Sequence, residues 1–576
     1  MCGIAGYISL CNESTEQIEG ILSSMLERIK HRGPNQRGLH VHNNMGIGMN
    51  RLSIVDRETH IIPYCDPKDS SEYLVYNGEI YNHMELRAGL PEDYVYQTQS
   101  DSETCLYAMK FHGPKALESF NGMYAFAYLD TRSDKLLVAR DKTGEKPLYY
   151  LKHRNFIAFC SELKGFMGLV QFKERESLCY ESYEFCFGSD TLLESIQAIE
   201  PGEYLEISSH GELRSVDYWK AWLRQVPMQD DEFWIEKQLT DLIVDSIELR
   251  TKNLAHSYAC FTSGGVDSAL IACIAKPNRL YYCHYDLGKA FDEMDYARLI
   301  AQKVGVDLTV IEPNKDDFER TRPYIAWHLD TPCTWTSFSI WMILENLHPE
   351  IKVIMSGEGA DEMFGGYHRY HLLHHDEQIH KLQALEEYKF LINRYYGRPE
   401  ERYARLINRC DNRYDKRTSE FVLSMVEKYF ALSGDDVIHA MGLHDFYTTM
   451  QVLLQMSDRM SMAFSVENRS PYLDHRLVQF AYQMPSHYKI RDGKTKWILK
   501  RIAEKFVPKE IAQRTDKRGF SAPVNIWYGW DKAGQYNRSI YKDMVYQDWK
   551  SSVLAGCSPY SESRIPAVPT VRRSVG

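Results

Sequence analysis

Two hydrophobic patterns divide the chain, and they limit its fold more than any other feature. Up to about Ser209, short apolar and aromatic runs such as EYLVYNGEIYN and NGMYAFAYLD are separated by turn residues, a pattern typical of antiparallel strands. TEQIEGILSSMLERI and SETCLYAMKF have helical spacing, so this part is predicted to be an α+β domain of antiparallel sheets with helices. After the hairpin-like stretch PGEYLEISSHGELRSVDYW, helical patterns dominate.

The second part alternates strand-like and helical segments. HSYACFTSGGVDSALIACIA predicts a strand, a Gly-rich turn and a helix, while RLYYCHYDL and IKVIMSGEGADEMF predict strands that end at loops. Such alternation is typical of an α/β domain, in which helices cover a parallel sheet. Because 576 residues exceed one ordinary domain, we assign residues 1–210 to the first domain and 225–535 to the second. Residues 536–576 are predicted to be a loosely ordered tail, since periodicity weakens there.

Charge and cysteine usage limit the partners and the location. The net charge of -11 does not suit a nucleic-acid surface, and no apolar run reaches the roughly 18 residues that a membrane span needs. The start of the chain, MCGIAGYISL, lacks the features of a secretory signal. Thirteen scattered cysteines do not form a disulfide framework. We therefore expect a cytoplasmic protein with free thiols and without nucleic-acid or membrane partners.

Cys2 is the first candidate catalytic residue. Removal of Met1 would leave an α-amine that titrates near ~7.7 to 8.0 beside a thiol that titrates near ~8.5, so one residue could supply both base and nucleophile. By itself, a cysteine near a terminus is more often a small buried residue.

The order of several motifs changes this interpretation. MCGIAGYI, HRGPNQRG, NRLSIVD, YNGEIYN, QSDSE and ARDKTGEKPLYY resemble those of class II glutamine amidotransferases, whose fold is the N-terminal-nucleophile (Ntn) hydrolase fold. The resemblance covers roughly the first 200 residues. It implies that Cys2 attacks the glutamine side-chain amide through a thioester, with Asn77 and Gly78 as the oxyanion hole. It also implies that Arg51 binds the α-carboxylate, that Glu79 and Asp101 bind the α-ammonium, and that Leu52, Ile54 and Val55 complete the glutamine pocket.

Simpler interpretations exist for single residues of this set. Arg51 and Asp101 could form structural ion pairs, and the NG pair could be a hairpin turn, although six ordered motifs favour the site. Two departures from the usual family pattern are Asn35 in place of Asp after HRGP and the stretch Thr143, Gly144 and Glu145 in place of an aromatic-Gly-aliphatic one. Both fall where we expect the two domains to communicate, so they bear on coupling more than on cleavage.

The SGGVDS segment is the second candidate site. Small residues between a strand and a helix let backbone amides and the helix N-terminus surround an anion. The sequence resembles the PP-loop of enzymes that split ATP into AMP and pyrophosphate. Asp267 inside an anion cradle implies an intervening cation, and Mg²⁺ typically takes one or two carboxylates plus substrate phosphates. The second cluster, SGEGADEMFGGY, supplies Glu358, Asp361 and Glu362, and we choose Asp267 and Asp361 as the metal ligands. The simpler alternative is that these acids are solvated.

Further motifs, MSDRMSMAFSVENRSPYLDHRL, RDGKTKWILK and TDKRGFSAP, extend the resemblance to the synthetase domain of the asparagine synthetase family, over roughly Asp241 to Trp527. The resemblance implies that Lys496 stabilises charge during adenylation and that Glu358 accepts or relays a proton when ammonia attacks. Arg469, Asp474, Asp458 and Arg459 are interpreted as framework residues. The implied ATP-binding residues are Ser263, Gly264, Gly265, Val266, Asp267, Ser268, Ser356 and Gly357.

Together these motifs predict an amidotransferase that uses glutamine, ATP and Mg²⁺ to convert a carboxylate into a carboxamide through an acyl-adenylate, with ammonia passing through an internal tunnel. Aspartate is the predicted acceptor, and a homodimer is a hypothesis. The family's usual Arg-Ala-Ser acceptor signature is replaced here by HLDTPCTWTSFSIWMIL, with Cys333 and Trp335 but no arginine. A sugar acid or a natural-product precursor therefore remains an alternative acceptor. A third hypothesis is a regulatory or scaffold protein that has the synthetase fold but no catalytic activity. The presence of every proposed catalytic residue disfavours it.

Overall fold

The computed structural model describes most of the chain. The described residues are 2–53, 62–92, 94, 96–220, 228–252, 254, 256–286, 293–332, 334–374, 398–410, 415–514, 522–529 and 538–560. No helix within these ranges is both long enough and apolar enough to cross a lipid bilayer.

The first domain contains two six-stranded antiparallel sheets. Its strands are β1 Cys2–Ser9, β2 Gln36–His42, β3 Met45–Arg51, β4 Tyr64–Asp66, β5 Asp69–Ile80, β6 Gly122–Asp130, β7 Lys135–Arg140, β8 Tyr149–His153, β9 Phe156–Cys160, β10 Ile196–Ala198, β11 Glu203–Ser208 and β12 Leu213–Asp217. One sheet has the order β10-β8-β9-β1-β3-β2 and the other β12-β11-β7-β6-β5-β4. The helices are α1 Thr15–Arg28, α2 His83–Ala88, α3 Asp101–His112, α4 Ala116–Ser119 and α5 Leu178–Tyr183.

The two sheets share one apolar core, which positions the N-terminus. Ile4 and Ile47 of the first sheet pack in the same cluster as Val75 and Phe126 of the second. Helix α1 covers the outer face of the first sheet with its Ile18. Because both faces of β1 are covered, every residue of Cys2–Ser9 is buried or nearly so, which explains why this strand is apolar without alternation. The N-terminal residue of this strand therefore lies inside the molecule.

The second domain is built on a five-stranded parallel sheet of order β15-β14-β13-β16-β17. Its strands are β13 Tyr258–Phe261, β14 Arg279–Cys283, β15 Leu308–Ile311, β16 Val353–Met355 and β17 Glu467–Arg469. The helices are α6 Glu232–Thr251, α7 Val266–Ala275, α8 Met294–Val304, α9 Lys315–Leu329, α10 Trp335–Glu345, α11 Ala360–Phe364, α12 His368–His374, α13 Pro399–Ile407, α14 Lys416–Ser433, α15 Val437–Tyr447, α16 Thr449–Ala463, α17 His475–Gln483, α18 Trp497–Ala503, α19 Lys509–Ala512, α20 Val524–Trp527 and α21 Arg538–Trp549.

The predicted fold classes of both domains are confirmed by these sheets. The boundary at residue 210 stays a prediction; the strand β12 that follows it pairs with β11 in a hairpin. The sequence analysis also missed β15 and β17. Strand β17 is only Glu467–Arg469, a polar triplet that lacks the apolar run on which strand prediction depends.

Within the segment 536–576, for which a loosely ordered tail stays the prediction, residues 538–554 are helical. Helix α21 ends at Trp549, whose side chain is 0% exposed and whose Nε1 donates a hydrogen bond to the Asp330 carbonyl at 2.9 Å. Trp549 and Val553 pack in the same apolar cluster as residues of helix α1. Burial of one large aromatic side chain outweighs a weak helical periodicity. Residues 561–576 lie outside the described ranges.

Candidate active sites

The N-terminal strand and β3 bring the proposed nucleophile and the proposed carboxylate receptor together. Cys2 lies opposite Arg51 in the antiparallel register of β1 and β3, and such partners have Cβ atoms only ~4.5–5.5 Å apart. Cys2 is 7% exposed. Burial raises the pKa of its thiol, while a hydrogen bond from the Leu52 backbone and the positive charge of Arg51 oppose that rise. Leu52 itself is buried, whereas Ile54 and Val55 lie outside the described residues.

Asn77 links the second sheet to the nucleophile. Its Oδ1 accepts a hydrogen bond from the Cys2 backbone N–H at 2.9 Å, which fixes the orientation of the side chain. The opposite end of the amide, Nδ2, is buried and has no hydrogen-bond partner. A buried donor without a partner is costly, and its placement suits an acceptor that arrives with the substrate.

Gly78 allows the backbone of β5 to run close to β6. A Cβ atom at this position would lie 2.1 Å from the Met123 carbonyl oxygen and 2.6 Å from Tyr124 Cα, so only glycine fits without displacing backbone. Strand β5 therefore runs close to β6 at Gly78, and Asn77, the residue before it, contacts Cys2.

Glu79 and Asp101 line one cavity, of about 480 Å³, at the junction of the two domains. Asp101 begins α3, and its Oδ2 accepts hydrogen bonds from Tyr76 Oη at 2.7 Å and the Ile80 N–H at 2.8 Å. Glu79 lies 3.5 Å from Nη2 of Arg469 in the second domain. Burial and the neighbouring Asp101 charge raise the pKa of Glu79 well above its usual value. Two acidic side chains that line the same cavity could bind a cationic group of a substrate.

In the second domain the SGGVDS segment forms the predicted turn between β13 and α7. Gly264 has a φ of +68°, which favours glycine, and Gly265 precedes the first helical residue, Val266. Ser268 Oγ accepts a hydrogen bond from the Ser263 N–H at 3.3 Å. Arg514 stabilises the turn, because its Nη1 donates a hydrogen bond to the Gly264 carbonyl at 3.0 Å.

Lys496 joins the two carboxylates that the sequence predicts as metal ligands. Its Nζ donates to Asp267 Oδ2 at 2.7 Å and lies 2.6 Å from Asp361 Oδ1. Lys496 is almost fully buried and adopts a left-handed backbone conformation with φ +53°, a strained state that often marks functional residues. Both acids and the lysine thus meet at the carboxyl ends of the strands, where ligands bind in open α/β sheets.

The donor set fits a magnesium ion that shares its ligands with phosphate. Within the described part of the chain, no group of three or more His, Cys, Asp or Glu side chains could hold a metal ion. Asp267 and Asp361 nevertheless contact one ammonium group from two sides, so a cation between them is already favoured. Mg²⁺ is commonly held by one or two carboxylates with phosphate and water as the other ligands.

Glu358 is oriented by two hydroxyl groups. Ser457 Oγ of helix α16 donates to its Oε1, and Ser470 Oγ donates to its Oε2 at 3.3 Å. Ser470 also lies 3.3 Å from Ser356 Oγ, and the Gly357 that follows lies against Asp267. The carboxylate of Glu358 is therefore held in a fixed orientation, and the next residue but one before it, Ser356, shares the Ser470 hydroxyl with it.

Comparisons with known proteins show the family to which the chain belongs. The sequence model of the family described as asparagine synthase matches residues 238–556, more than half of the chain. The chain belongs to the asparagine synthetase family. The model of the glutamine amidotransferase domain matches residues 1–219. The protein is thus a ligase of this family and a glutamine-dependent amidotransferase, and its membership implies the use of ATP.

Several relatives of the asparagine synthetase family span nearly the whole chain. Asparagine synthetase [glutamine-hydrolyzing] 1 of Bacillus subtilis is 30% identical, over 95% of this chain and 92% of its own. Asparagine synthetase [glutamine-hydrolyzing] 3 of the same organism is 26% identical, over 89% and 86%. Amidase chry2 of Gibberella zeae is 22% identical, over 96% and 94%. Among solved structures, the glutamine phosphoribosylpyrophosphate amidotransferase from B. subtilis matches with a TM-score of 0.29 and 16% identity, over 55% of this chain and 70% of that chain.

Arg32 was not predicted from the sequence as a functional residue of this asparagine synthetase family member. Its Nε donates to the Cys2 carbonyl at 3.1 Å, and its Nη1 and Nη2 donate to the Asp458 carboxylate at 2.8 and 3.1 Å. Arg32 also contacts Glu162, which Arg459 approaches to 2.9 Å. The HRGP motif pointed to this region, but a pairing across 426 positions of sequence has no local signal. Arg514 was missed for the same reason.

The residues interpreted as framework take part in contacts between elements. Asp474 accepts hydrogen bonds from the Arg476 N–H at 3.0 Å and from Asn121 Nδ2 of the first domain at 2.9 Å. Arg469 does more than shape its own domain, because it contacts Glu79. Trp335 begins α10, and its side chain lies outside the described set, as does Cys333.

Proposed function

We propose that this enzyme converts aspartate into asparagine with glutamine as nitrogen donor and ATP as energy source. The observation that carries the proposal is the pairing of two complete centres in one chain, Cys2 with Asn77 and Lys496 with Asp267 and Asp361. The choice of aspartate is supported by the relative from B. subtilis, which is 30% identical over 95% of this chain and is named an asparagine synthetase.

In the proposed glutaminase half-reaction, Cys2 attacks the side-chain amide of glutamine. The α-amine, once Met1 is removed, accepts the thiol proton. The charge that develops on the attacked oxygen is met by Asn77 Nδ2 and the Gly78 N–H, which need no reorganisation. Arg51 holds the α-carboxylate, and Glu79 with Asp101 holds the α-ammonium. Ammonia leaves, and water then releases glutamate from the thioester.

In the proposed synthetase half-reaction, the acceptor carboxylate attacks the α-phosphate of ATP and pyrophosphate leaves. Asp267 and Asp361 would hold Mg²⁺, which neutralises phosphate charge when bound. Lys496 stabilises charge at the α-phosphate, and the backbone amides of Ser263 to Ser268 surround the pyrophosphate. Glu358 takes a proton from the nitrogen as ammonia displaces AMP.

The proposed passage for ammonia lies at the domain interface. Leu52 and Met123 of the first domain pack against Val353 and Met462 of the second. Leu52 directly follows Arg51 of the first centre, and Val353 begins the strand that leads to Glu358. An apolar contact between the two centres would favour neutral ammonia over ammonium.

A second candidate function is the same chemistry on another carboxylate. The segment HLDTPCTWTSFSIWMIL contains no arginine that could pair with a second acceptor carboxylate, and the relative called an amidase in Gibberella zeae also spans nearly the whole chain. A sugar acid or a natural-product precursor is the alternative acceptor class.

The deciding experiment measures pyrophosphate release against a panel of carboxylic acids, with ATP, Mg²⁺ and glutamine present. We expect aspartate to give the highest rate, with asparagine as the product. Release with another acid and none with aspartate would reject the asparagine synthetase assignment while retaining the amidotransferase chemistry. Lys496→Met, which removes the cation between the two acids, is the matched inactive control.

A further inference from the structure

A tight turn at residues 141–146 of the first domain contacts helix α16 of the second. Asp141 Oδ1 accepts hydrogen bonds from the N–H groups of Thr143, Gly144 and Glu145 at 3.1, 2.6 and 2.9 Å. Its Oδ2 accepts from the Lys146 N–H at 2.9 Å. The turn is therefore rigid, and it presents its side chains in fixed directions.

The second domain holds this turn through helix α16. Gln451 Nε2 donates a hydrogen bond to the Thr143 carbonyl at 3.0 Å. The other end of the same amide, Gln451 Oε1, is buried and has no hydrogen-bond partner. Glu145 and Gln451 both line a cavity of about 50 Å³ between the domains, enough for a molecule the size of water or ammonia. The cavity thus offers a carboxyl group and an unused carbonyl oxygen.

Electrostatic contacts relate the turn to both centres. Lys146 lies 3.7 Å from Asp458, which binds Arg32 beside Cys2. The Lys146 charge also acts on Glu467, whose own charge acts on Cys2. Glu145, one residue earlier, is influenced by Glu358 of the second centre. Asp458 and Arg32 thus connect the turn to Cys2, and helix α16, which holds the turn through Gln451, also carries Ser457, which binds Glu358 of the second centre.

Glu145 is a carboxyl group held in a setting that disfavours its charge. It is 5% exposed, and burial raises its pKa to about 8, against the opposing charges of Arg250 and Lys146. At neutral pH its side chain is mostly uncharged. The charged or titratable groups that act on it or share its cavity are Asp141, Lys146, Arg250, Glu358, Tyr81, Arg140, Tyr149, Cys186 and Asp190.

We propose that Glu145 is an ammonia-binding residue between the two centres, which passes nitrogen onward while its carboxyl is neutral and retains it as ammonium when its carboxyl is ionised. Gln451 Oε1 is the second acceptor of the bound nitrogen. The inference rests on the proposed function, since it requires ammonia to travel from Cys2 to Glu358. The neutral Glu145 carboxyl makes an ordinary hydrogen bond with ammonia, whereas a buried Glu145 carboxylate forms a much stronger, charge-assisted pair with ammonium.

The test compares the wild type with Glu145→Gln, which keeps the shape and cannot ionise. The measured quantity is amide product formed per glutamate released, from pH 6.5 to 9, with an enzymatic trap that removes escaped ammonia. With a pKa near 8, the neutral fraction of Glu145 falls from ~90% at pH 7 to ~10% at pH 9, so the wild-type ratio should fall roughly fivefold or more. The ratio of Glu145→Gln should stay constant.

Two further variants separate this role from a structural one. Glu145→Leu also lacks a titratable group, so its ratio should be independent of pH. Glu203→Gln, which changes another carboxyl of the first domain whose pKa burial raises, should keep the wild-type decline. Parallel pH profiles of the ratio in wild type and Glu145→Gln would overturn the proposal.

The readouts also separate this proposal from the proposed function. The acceptor used is the acid that gives the highest pyrophosphate release, so an incorrect choice of aspartate does not affect the ratio. Absence of any amide product with glutamine, together with synthesis from added ammonium salt, would reject transfer between the centres rather than the acceptor.

Discussion

The two ends of the Asn77 side-chain amide have different environments beside the proposed nucleophile. Its carbonyl oxygen accepts from the Cys2 N–H, and its amide nitrogen remains without a partner although it is buried. Because the first contact orients the amide, the donor is aimed before the substrate arrives, which is the condition for effective oxyanion stabilisation.

Replacement of Asn77 by Ala should lower glutamine hydrolysis by about 10²–10³-fold, since one oxyanion donor is lost. Glutamate release is the measurement. Synthesis from added ammonium should continue at the wild-type rate, because the second centre is unchanged. A variant that loses both activities equally would indicate misfolding rather than the loss of a donor.

Lys496 is the corresponding residue of the second centre. Its replacement by Met leaves Asp267 and Asp361 without the cation that both contact, and it removes a positive charge from the proposed site of adenylation. Pyrophosphate release should fall by about 10²-fold or more, with glutamate release retained. Lys496→Arg should recover part of the lost rate; full activity of Lys496→Met would contradict the assigned role.

At the scale of elements, helix α21 is attached to the molecule through one aromatic side chain. Trp549 is fully buried, packs with apolar residues of both domains and donates to the Asp330 carbonyl. The helix thus belongs to the folded body, although its sequence shows little amphipathic pattern.

Trp549→Ala should lower the free energy of unfolding by about 3–5 kcal/mol, because a large cavity is left in a packed region. Chemical denaturation measures the change. The matched control is Phe111→Ala, whose side chain is 53% exposed and whose loss should cost at most about 0.5 kcal/mol. Equal effects of the two substitutions would mean that α21 is not docked.

At the scale of the whole molecule, buried ion pairs join the two domains. Arg32 of the first domain binds Asp458 of the second, and Glu162 of the first lies against Arg459 of the second. Burial alone raises the pKa of Asp458, but the guanidinium of Arg32 outweighs it and holds the pKa below its ordinary value. A carboxylate of this kind stabilises the folded state above its unfolded pKa, near ~3.9, and the contribution is lost as pH falls through the folded pKa.

Asp458→Asn should destabilise the protein by about 3–5 kcal/mol at pH 7, since Arg32 then lacks its buried partner. The difference from wild type should begin to shrink below about pH 4, where Asp458 becomes protonated in the unfolded chain, and it should be lost as pH falls further through the lowered pKa of folded Asp458. Chemical denaturation at a series of pH values tests this. A difference that stays constant down to pH 2 would show that charge is not the cause.

Much of the fold and of both candidate sites could be predicted from local sequence. The strand runs of the first part, the strand-turn-helix around SGGVDS and the order of the motifs led to the two fold classes and to the residues Cys2, Asn77, Asp267 and Lys496. The strands, helices and turns depend on neighbours a few positions apart, so alternation, helical spacing and turn residues reveal them. The roles of the site residues followed from the resemblance of the motifs to known families.

Other features depended on contacts between distant parts of the chain. The edge strand β17 is a polar triplet, which has no strand-like pattern of its own. The docking of α21 depends on what packs against Trp549, and the role of Arg32 depends on its pairing with Asp458, so neither has a local signal. Glu145 is a further example. The motif in which it lies has an acid where the family usually has an aliphatic residue. Only the tertiary structure buries that acid at the domain interface, which raises its pKa and disfavours its charge at neutral pH.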